Sequence, residues 1–176
     1  MQKIVILILI SMCSIAGFSQ DTIKLREMGR RPAIVTDRPP QAVYFQLGGS
    51  GPIISVNYDR RFSNRVNGFG FAAGIGFWAE SDFYGSTSMF SIPVSLNYLI
   101  GRRNDFVELA AGTTYISANA TIFDDNDHGS GFIHHVNVGY RHQPATGGFF
   151  FRGGVSPLFF QSEYHTSFYL GFGYNF

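Results

Sequence analysis

From residue 43 to the last residue, the chain runs in segments where large apolar side chains take every second position. Val43, Phe45 and Leu47 alternate with Tyr44 and Gln46; Phe69, Phe71, Ala73, Ile75 and Phe77 alternate with glycines and Ala72. The pattern recurs around Ile54–Asp59, Phe90–Tyr98, Val107–Tyr115, Phe132–Arg141, Phe149–Ser156 and Phe168–Phe176, with Gly, Asn, Asp and Pro between segments. Successive side chains of a strand point to opposite faces, so each segment predicts a β-strand with one wholly apolar face. No segment carries a competing helical period of useful length.

The distribution of charge decides which face is interior. Every Asp, Glu and Arg within these segments falls on the second face, among Gly, Ser, Asn and Ala. A soluble barrel would bury the apolar face and clothe the other in Lys and Glu, but no Lys occurs after Lys24 and only 14% of residues are charged. The inverted arrangement fits: apolar residues toward lipid, small and polar residues toward a narrow lumen. Closure leaves no unpaired strand edge in lipid, where an orphaned backbone group costs several kcal/mol. The predicted fold class is therefore all-β, an eight-stranded antiparallel up-and-down transmembrane β-barrel over residues 41–176.

Connection lengths point the same way. RFSNRVN, GRRND and RHQPATG are short and arginine-rich. The alternate set, AESDFYGSTS, SANATIFDDNDHGS and SPLFFQSEYH with the shorter GGSGP, is mostly longer and acidic or mixed. Short periplasmic turns, longer external loops and an even strand number place both barrel termini in the periplasm. Tyr58, Phe62, Phe77, Trp78, Tyr98, Tyr115, Tyr140 and Phe176 stand where interfacial aromatic girdles belong.

The opening MQKIVILILISMCSIAGFSQ has one Lys, an apolar run and then small residues, the layout of a secretory signal peptide cut after Ser19. Its apolar part is short for a spanning helix. A lipoprotein anchored at Cys13 is disfavoured by Met12 and by the apolar stretch that follows. Residues 20–40 read as a flexible periplasmic leader. The single Cys13 excludes an internal disulfide framework, and a net charge of +1 without a basic stripe gives no case for nucleic-acid binding.

The terminal stripe of Phe168, Leu170, Phe172, Tyr174 and Phe176 resembles the C-terminal assembly signal of Gram-negative outer-membrane barrels, which implies the barrel-assembly machinery as a partner in biogenesis. The eight-strand layout resembles the small OmpA/OmpX-type barrels. AVYFQLGGSGPIISVNYDRRF, PVSLNYLIGRRNDFVELAAGTTYI and GYRHQPATGGFFFRGGVSPLF resemble a widespread set of small outer-membrane proteins from which no chemistry carries over. The resemblance implies the cell outer membrane as location, with lipid and lipopolysaccharide as surroundings.

Asp59, Glu108, Arg141 and Arg152 lie on the luminal face toward the periplasmic end. They are expected to form a buried ion-pair cluster, Glu108 with Arg141 or Arg152 and Asp59 from across the lumen. An eight-stranded interior is only wide enough for side chains, which disfavours an open pore. His134 and His135 are followed two residues on by Val136 and Asn137, so the histidine–serine spacing of a lipid A-deacylating barrel is missing. Asp124, Asp125 and Asp127 read as a solvated external loop, since DDNDHG lacks the ligand pattern of a calcium-binding EF-hand. The glycines of FGFAAGIGF are expected to leave luminal room for Tyr44 or Trp78. No cofactor, metal or catalytic residue is expected. The best reading is a structural or envelope-interaction barrel with its specificity in the external loops; the alternatives are a narrow conduit for small solutes and, behind it, a lipid A-modifying enzyme.

Overall fold

A computed structural model describes residues 35–176 except 52, 82–84, 123–124 and 161–162. The segment read as a signal peptide, Cys13 and the part of the expected leader through residue 34 lie outside the described residues. Eight strands follow one another: β1 (Gln41–Gly48), β2 (Ile54–Arg61), β3 (Gly68–Ser81), β4 (Gly85–Arg102), β5 (Asp105–Ile122), β6 (Asp125–His142), β7 (Gly148–Phe160) and β8 (Glu163–Asn175). Each pairs antiparallel with the next, and β8 pairs with β1 to close the barrel.

The register sets the tilt. Directly opposed residues run from Ala42 through Asp59, Ala72, Ser95, Gly112, His135, Leu158 and His165. The register of the β8–β1 ladder then closes the circuit ten places beyond the start. Such a stagger over eight strands inclines them by about 40° to the barrel axis. Residues far apart along their own strands thereby reach one level of the lumen.

The outer wall is apolar. Phe69, Ile75, Val94, Leu96, Val107, Val138 and Phe172 are among the exposed large side chains, and Phe168 is 73% exposed. The interior instead holds Gln46, Asn57, Asp59, Arg61, Asn97, Glu108, His135, Asn137, Arg141 and Arg152, all buried. This is the reverse of a soluble protein's distribution and follows directly from strand parity.

The strands of the end away from the termini are longer than the alternation predicts. β4, β5 and β6 each run for 18 residues. Asp125 pairs with Ile122 and Asp127 with Ala120, so the stretch read as an acidic loop is the end of a β-hairpin; Asp124 lies outside the described residues. Main-chain hydrogen bonds are indifferent to side-chain polarity, and the ladder therefore continues through Ser, Thr and Asn once one strand has a partner.

Two ladders are interrupted without change of register. The β3–β4 pairing skips Gly74 and Ile75 opposite Ile92 and Pro93, and β6–β7 skips Val136 and Asn137 opposite Ser156 and Pro157. Each gap includes a proline, which brings no N–H to a ladder. At the terminal end, residues 35–40 run beside the β2–β3 turn: the Thr36 N–H donates to the Asn64 carbonyl at 2.9 Å, and the Arg61 N–H to that of Pro40 at 3.0 Å.

Candidate functional site

Among the described residues the buried polar and charged side chains gather in the lumen, which is filled in layers. Nearest the termini, Val66, Leu99, Phe106 and Ala145 form a buried apolar cluster. Beside them Gln143 Nε2 donates to Asn175 Oδ1 at 2.6 Å, and the Gln143 N–H to the Asn104 carbonyl at 2.7 Å. The short turns thus fold over and seal this end.

Above the seal lies a charged layer. Arg141 Nη2 stands 2.7 Å from Asp59 Oδ1 and its Nη1 3.1 Å from Glu108 Oε1, so one guanidinium spans from β5 to β2 on the opposite wall. Arg152 Nε is 3.2 Å from Glu108 Oε2. The four residues singled out by sequence therefore meet in one cluster, and Glu108 holds both Arg141 and Arg152. A fifth member, Arg61, places Nη2 3.0 Å from Asp59 Oδ1 and also reaches Asn97 Oδ1. Asn97 Nδ2 donates to Asp59 Oδ2 at 2.7 Å. Sequence reasoning missed Arg61, although its spacing of two from Asp59 puts both on one strand face; the signal was there once β2 is carried to its end. By the same parity Arg60, its neighbour, points outward and is exposed, an exception to the rule that strand charge faces the lumen.

Aromatic rings complete the layer. Arg141 lies over Phe150 at 4.7 Å, and Arg152 over Tyr169 at 4.8 Å and Tyr44 at 5.1 Å. Arg152 Nη1 donates to Tyr44 Oη at 2.6 Å, and Tyr44 stacks on Phe150 with centroids 4.9 Å apart. Planar guanidinium groups suit such packing because they are weakly hydrated and present a flat face. The glycines that give this space differ from expectation. Those of β3 face Arg61 at Gly70, Asn57 at Gly74, and Ser91 and Ser55 at Gly76. Room for Tyr44 comes from Gly171 and Gly173 of β8, because register, which alternation alone does not reveal, decides what lies opposite a glycine.

Toward the far end the lumen is uncharged and polar. Ser156 Oγ donates to Asn137 Oδ1 at 2.7 Å, and Asn57 Nδ2 to Ser55 Oγ at 2.8 Å. The β1–β2 hairpin folds inward over this layer: Gly49 and Gly51 are buried, and Thr114 Oγ1, on the far wall, donates to the Ser50 carbonyl at 2.6 Å. Gly48 and Gly49 have φ of 68° and 72°, a left-handed conformation that lets the chain turn inward. His135 is buried with Nδ1 3.5 Å from Thr114 Oγ1, while His134 faces outward, so the two histidines are not brought together. The Thr114 hydroxyl already donates to Ser50, which leaves it no base to activate it as a nucleophile. Among the described residues no His, Cys, Asp and Glu group is arranged to hold a metal ion.

No protein-family model matches the chain, and comparison with curated proteins finds no match either. Solved structures do match in fold. The N-terminal β-barrel domain of Pseudomonas aeruginosa OprF aligns with a TM-score of 0.56 at 12% identity, covering 81% of this chain and 100% of that one. Ail, the attachment invasion locus protein of Yersinia pestis, in complex with the heparin analogue sucrose octasulfate, aligns at 0.55 and 12% identity over 79% and 99%. Neisserial surface protein A (NspA) aligns at 0.49 and 13% identity over 78% and 94%. The fold is that of the small eight-stranded outer-membrane β-barrels. Within that class this chain is a barrel whose lumen is closed by a five-residue ionic layer.

Proposed function

We propose that the chain is an integral outer-membrane barrel, exported by the segment 1–19, with a structural or envelope-interaction role. The observation that carries this reading is the inversion of the barrel: an apolar exposed wall around a polar, filled lumen. An exposed apolar girdle of this extent is untenable in water and natural in lipid. Phe168, Leu170, Phe172 and Tyr174 lie on the outward face of β8 and Phe176 directly follows it, where assembly machinery can read them as the barrel inserts. The terminal end is then periplasmic and the long hairpins external.

The role is non-enzymatic on this reading. Asp59, Arg61, Glu108, Arg141 and Arg152 cross the lumen from wall to wall, which argues against a conduit, and His135 lies sealed beneath the β1–β2 hairpin. Specificity belongs to the external hairpins. These carry Glu80, Asp82, Asp124, Asp125, Asp127 and Glu163 but no Lys or Arg. A sulfated polyanion of the kind bound to Ail would find no cationic partner there, so the surface suits cationic or neutral partners.

The test is expression in a Gram-negative host with membrane fractionation, external protease treatment and solute-uptake assays. Outer-membrane recovery, cleavage in the long hairpins and absence of solute flux are expected. Recovery in the soluble periplasm, or uptake above that of vesicles without the chain, would overturn the reading.

A further inference from the structure

The opposite rim shows the reverse charge. Every arginine after position 37 lies at the terminal end, and beyond the buried Arg61, Arg141 and Arg152 all of them are exposed. Arg60 and Arg102 project from the outer wall at the ends of β2 and β4; Arg38, Arg65 and Arg103 stand on the segment and turns beside them. None of these forms an ion pair among the described residues. The acid nearest in register to Arg102 is Asp105, directly opposite it. Its Oδ1 is already taken by Tyr140 Oη at 2.6 Å and His142 Nδ1 at 2.8 Å. Arg103 sits at φ 61°, a conformation costly for a residue with a side chain, at the tip of a two-residue turn.

Resting on the membrane reading above, we infer that this rim is a docking surface for the phosphate headgroups of anionic glycerophospholipids in the periplasmic leaflet. Depth supports that occupant. Arg60 lies between the outward girdle residues Tyr58 and Phe62, and Arg102 lies four residues beyond Tyr98. At about 3.3 Å per strand residue and about 40° of tilt, Arg60 stands level with the aromatic belt and Arg102 roughly 10 Å outside Tyr98, so the two arginines bracket the interface where the phosphates lie. Each basic group near an anionic leaflet contributes on the order of 1 kcal/mol, falling off within a Debye length. The far-end hairpins carry no Lys or Arg, so the strand and turn cations are confined to one side of the membrane. The unpaired arginines of the terminal rim complement phosphodiesters by bidentate hydrogen bonding as well as by charge.

The test reconstitutes the folded chain in phosphatidylcholine vesicles with and without phosphatidylglycerol and reads lipid selectivity with spin-labelled lipids. The wild-type barrel is expected to prefer the phosphatidylglycerol label several-fold. The preference should shrink at high salt and fall close to one in R60Q/R102Q/R103Q. Equal selectivity for the two labels, salt-independent selectivity, or an unchanged preference in the triple variant would overturn the inference. So would saturable binding of soluble anionic cell-wall fragments without lipid preference, which would assign the rim to a wall polymer. Heat-modifiable electrophoretic mobility in pure phosphatidylcholine reports insertion separately; its loss would sink the membrane reading rather than this one. If the triple variant does not fold, the salt dependence of the wild type still decides.

Discussion

Arg141 and Arg152 stand directly opposite one another across the β6–β7 ladder, both buried, and the carboxylate of Glu108 ion-pairs with each. Two like charges in one register position would repel. Glu108 converts that repulsion into a bridge, and Asp59 draws Arg141 from the other wall. The arrangement makes the barrel's stability depend on a single carboxylate more than on either arginine. Glu108→Gln should lower the heat- or urea-unfolding midpoint in detergent, with a loss of unfolding free energy of about 3 kcal/mol, the scale of a broken buried pair. Arg152→Gln in the same background should cost less than it does in the wild type, and the double-mutant cycle measures the difference. An unchanged midpoint in Glu108→Gln would show that the layer contributes nothing to stability.

The space around that bridge is made by glycine, and the claim can be tested at two positions on the same strand. A Cβ on Gly139 would stand 2.5 Å from Tyr169 Oη and 2.9 Å from Gly154 Cα, so neither ring nor wall has room for it. Gly139→Ala should destabilise by about 1–3 kcal/mol or block folding. Gly129, near the far end of β6, has nothing within 4 Å of its would-be Cβ. Gly129→Ala should be neutral or slightly stabilising through the unfolded chain. Equal effects at the two sites, by refolding yield and midpoint, would contradict this packing.

Strand number, strand faces and barrel inversion were legible because side-chain parity is a local property that needs no partner. Asp59, Glu108, Arg141 and Arg152 could be placed together for the same reason, since parity and topology alone bring them to one end of one lumen. What was not legible depends on register or on main-chain bonding. The facing of Gly70 on Arg61 follows from the β2–β3 stagger, and the extension of β6 to Asp125 from ladder bonds that carry no side-chain signature. The inward fold of Gly49–Gly51 is a third case: GGSGP reads as an ordinary turn, and nothing in it marks Thr114, 64 positions after Ser50, as its partner.

That hairpin gives a further prediction. Thr114 Oγ1 ties the Ser50 carbonyl to β5, and the Gly49 N–H donates to Ser167 Oγ at 3.2 Å, so the turn is held from two sides of the barrel. Thr114→Val keeps the shape and removes the donor. It should cost about 1 kcal/mol of stability, and amide exchange at Gly49–Gly51 should rise more than in the β4–β5 ladder. Unaltered exchange in this hairpin would mean that it is held without Thr114.

The terminal strand separates assembly from stability. The Phe176 N–H donates to the Gln41 carbonyl at 2.8 Å, and the Gln41 N–H to that of Phe176 at 3.2 Å, so the last residue closes the barrel through its backbone. Its side chain is 44% exposed on the outer face. Phe176→Ala leaves both main-chain bonds available and removes only an outward ring, which a folded barrel needs little. The purified variant should therefore unfold within roughly 1 kcal/mol of the wild type, the range of substitutions outside a packed core. Machinery that recognises the outward aromatic would lose its contact, so insertion into the outer membrane should fall several-fold in cells. Pulse labelling with a heat-modifiability assay, alongside unfolding of the purified barrel, checks both. A large loss of stability with normal insertion would make the ring a structural element and remove the case for its being an assembly signal.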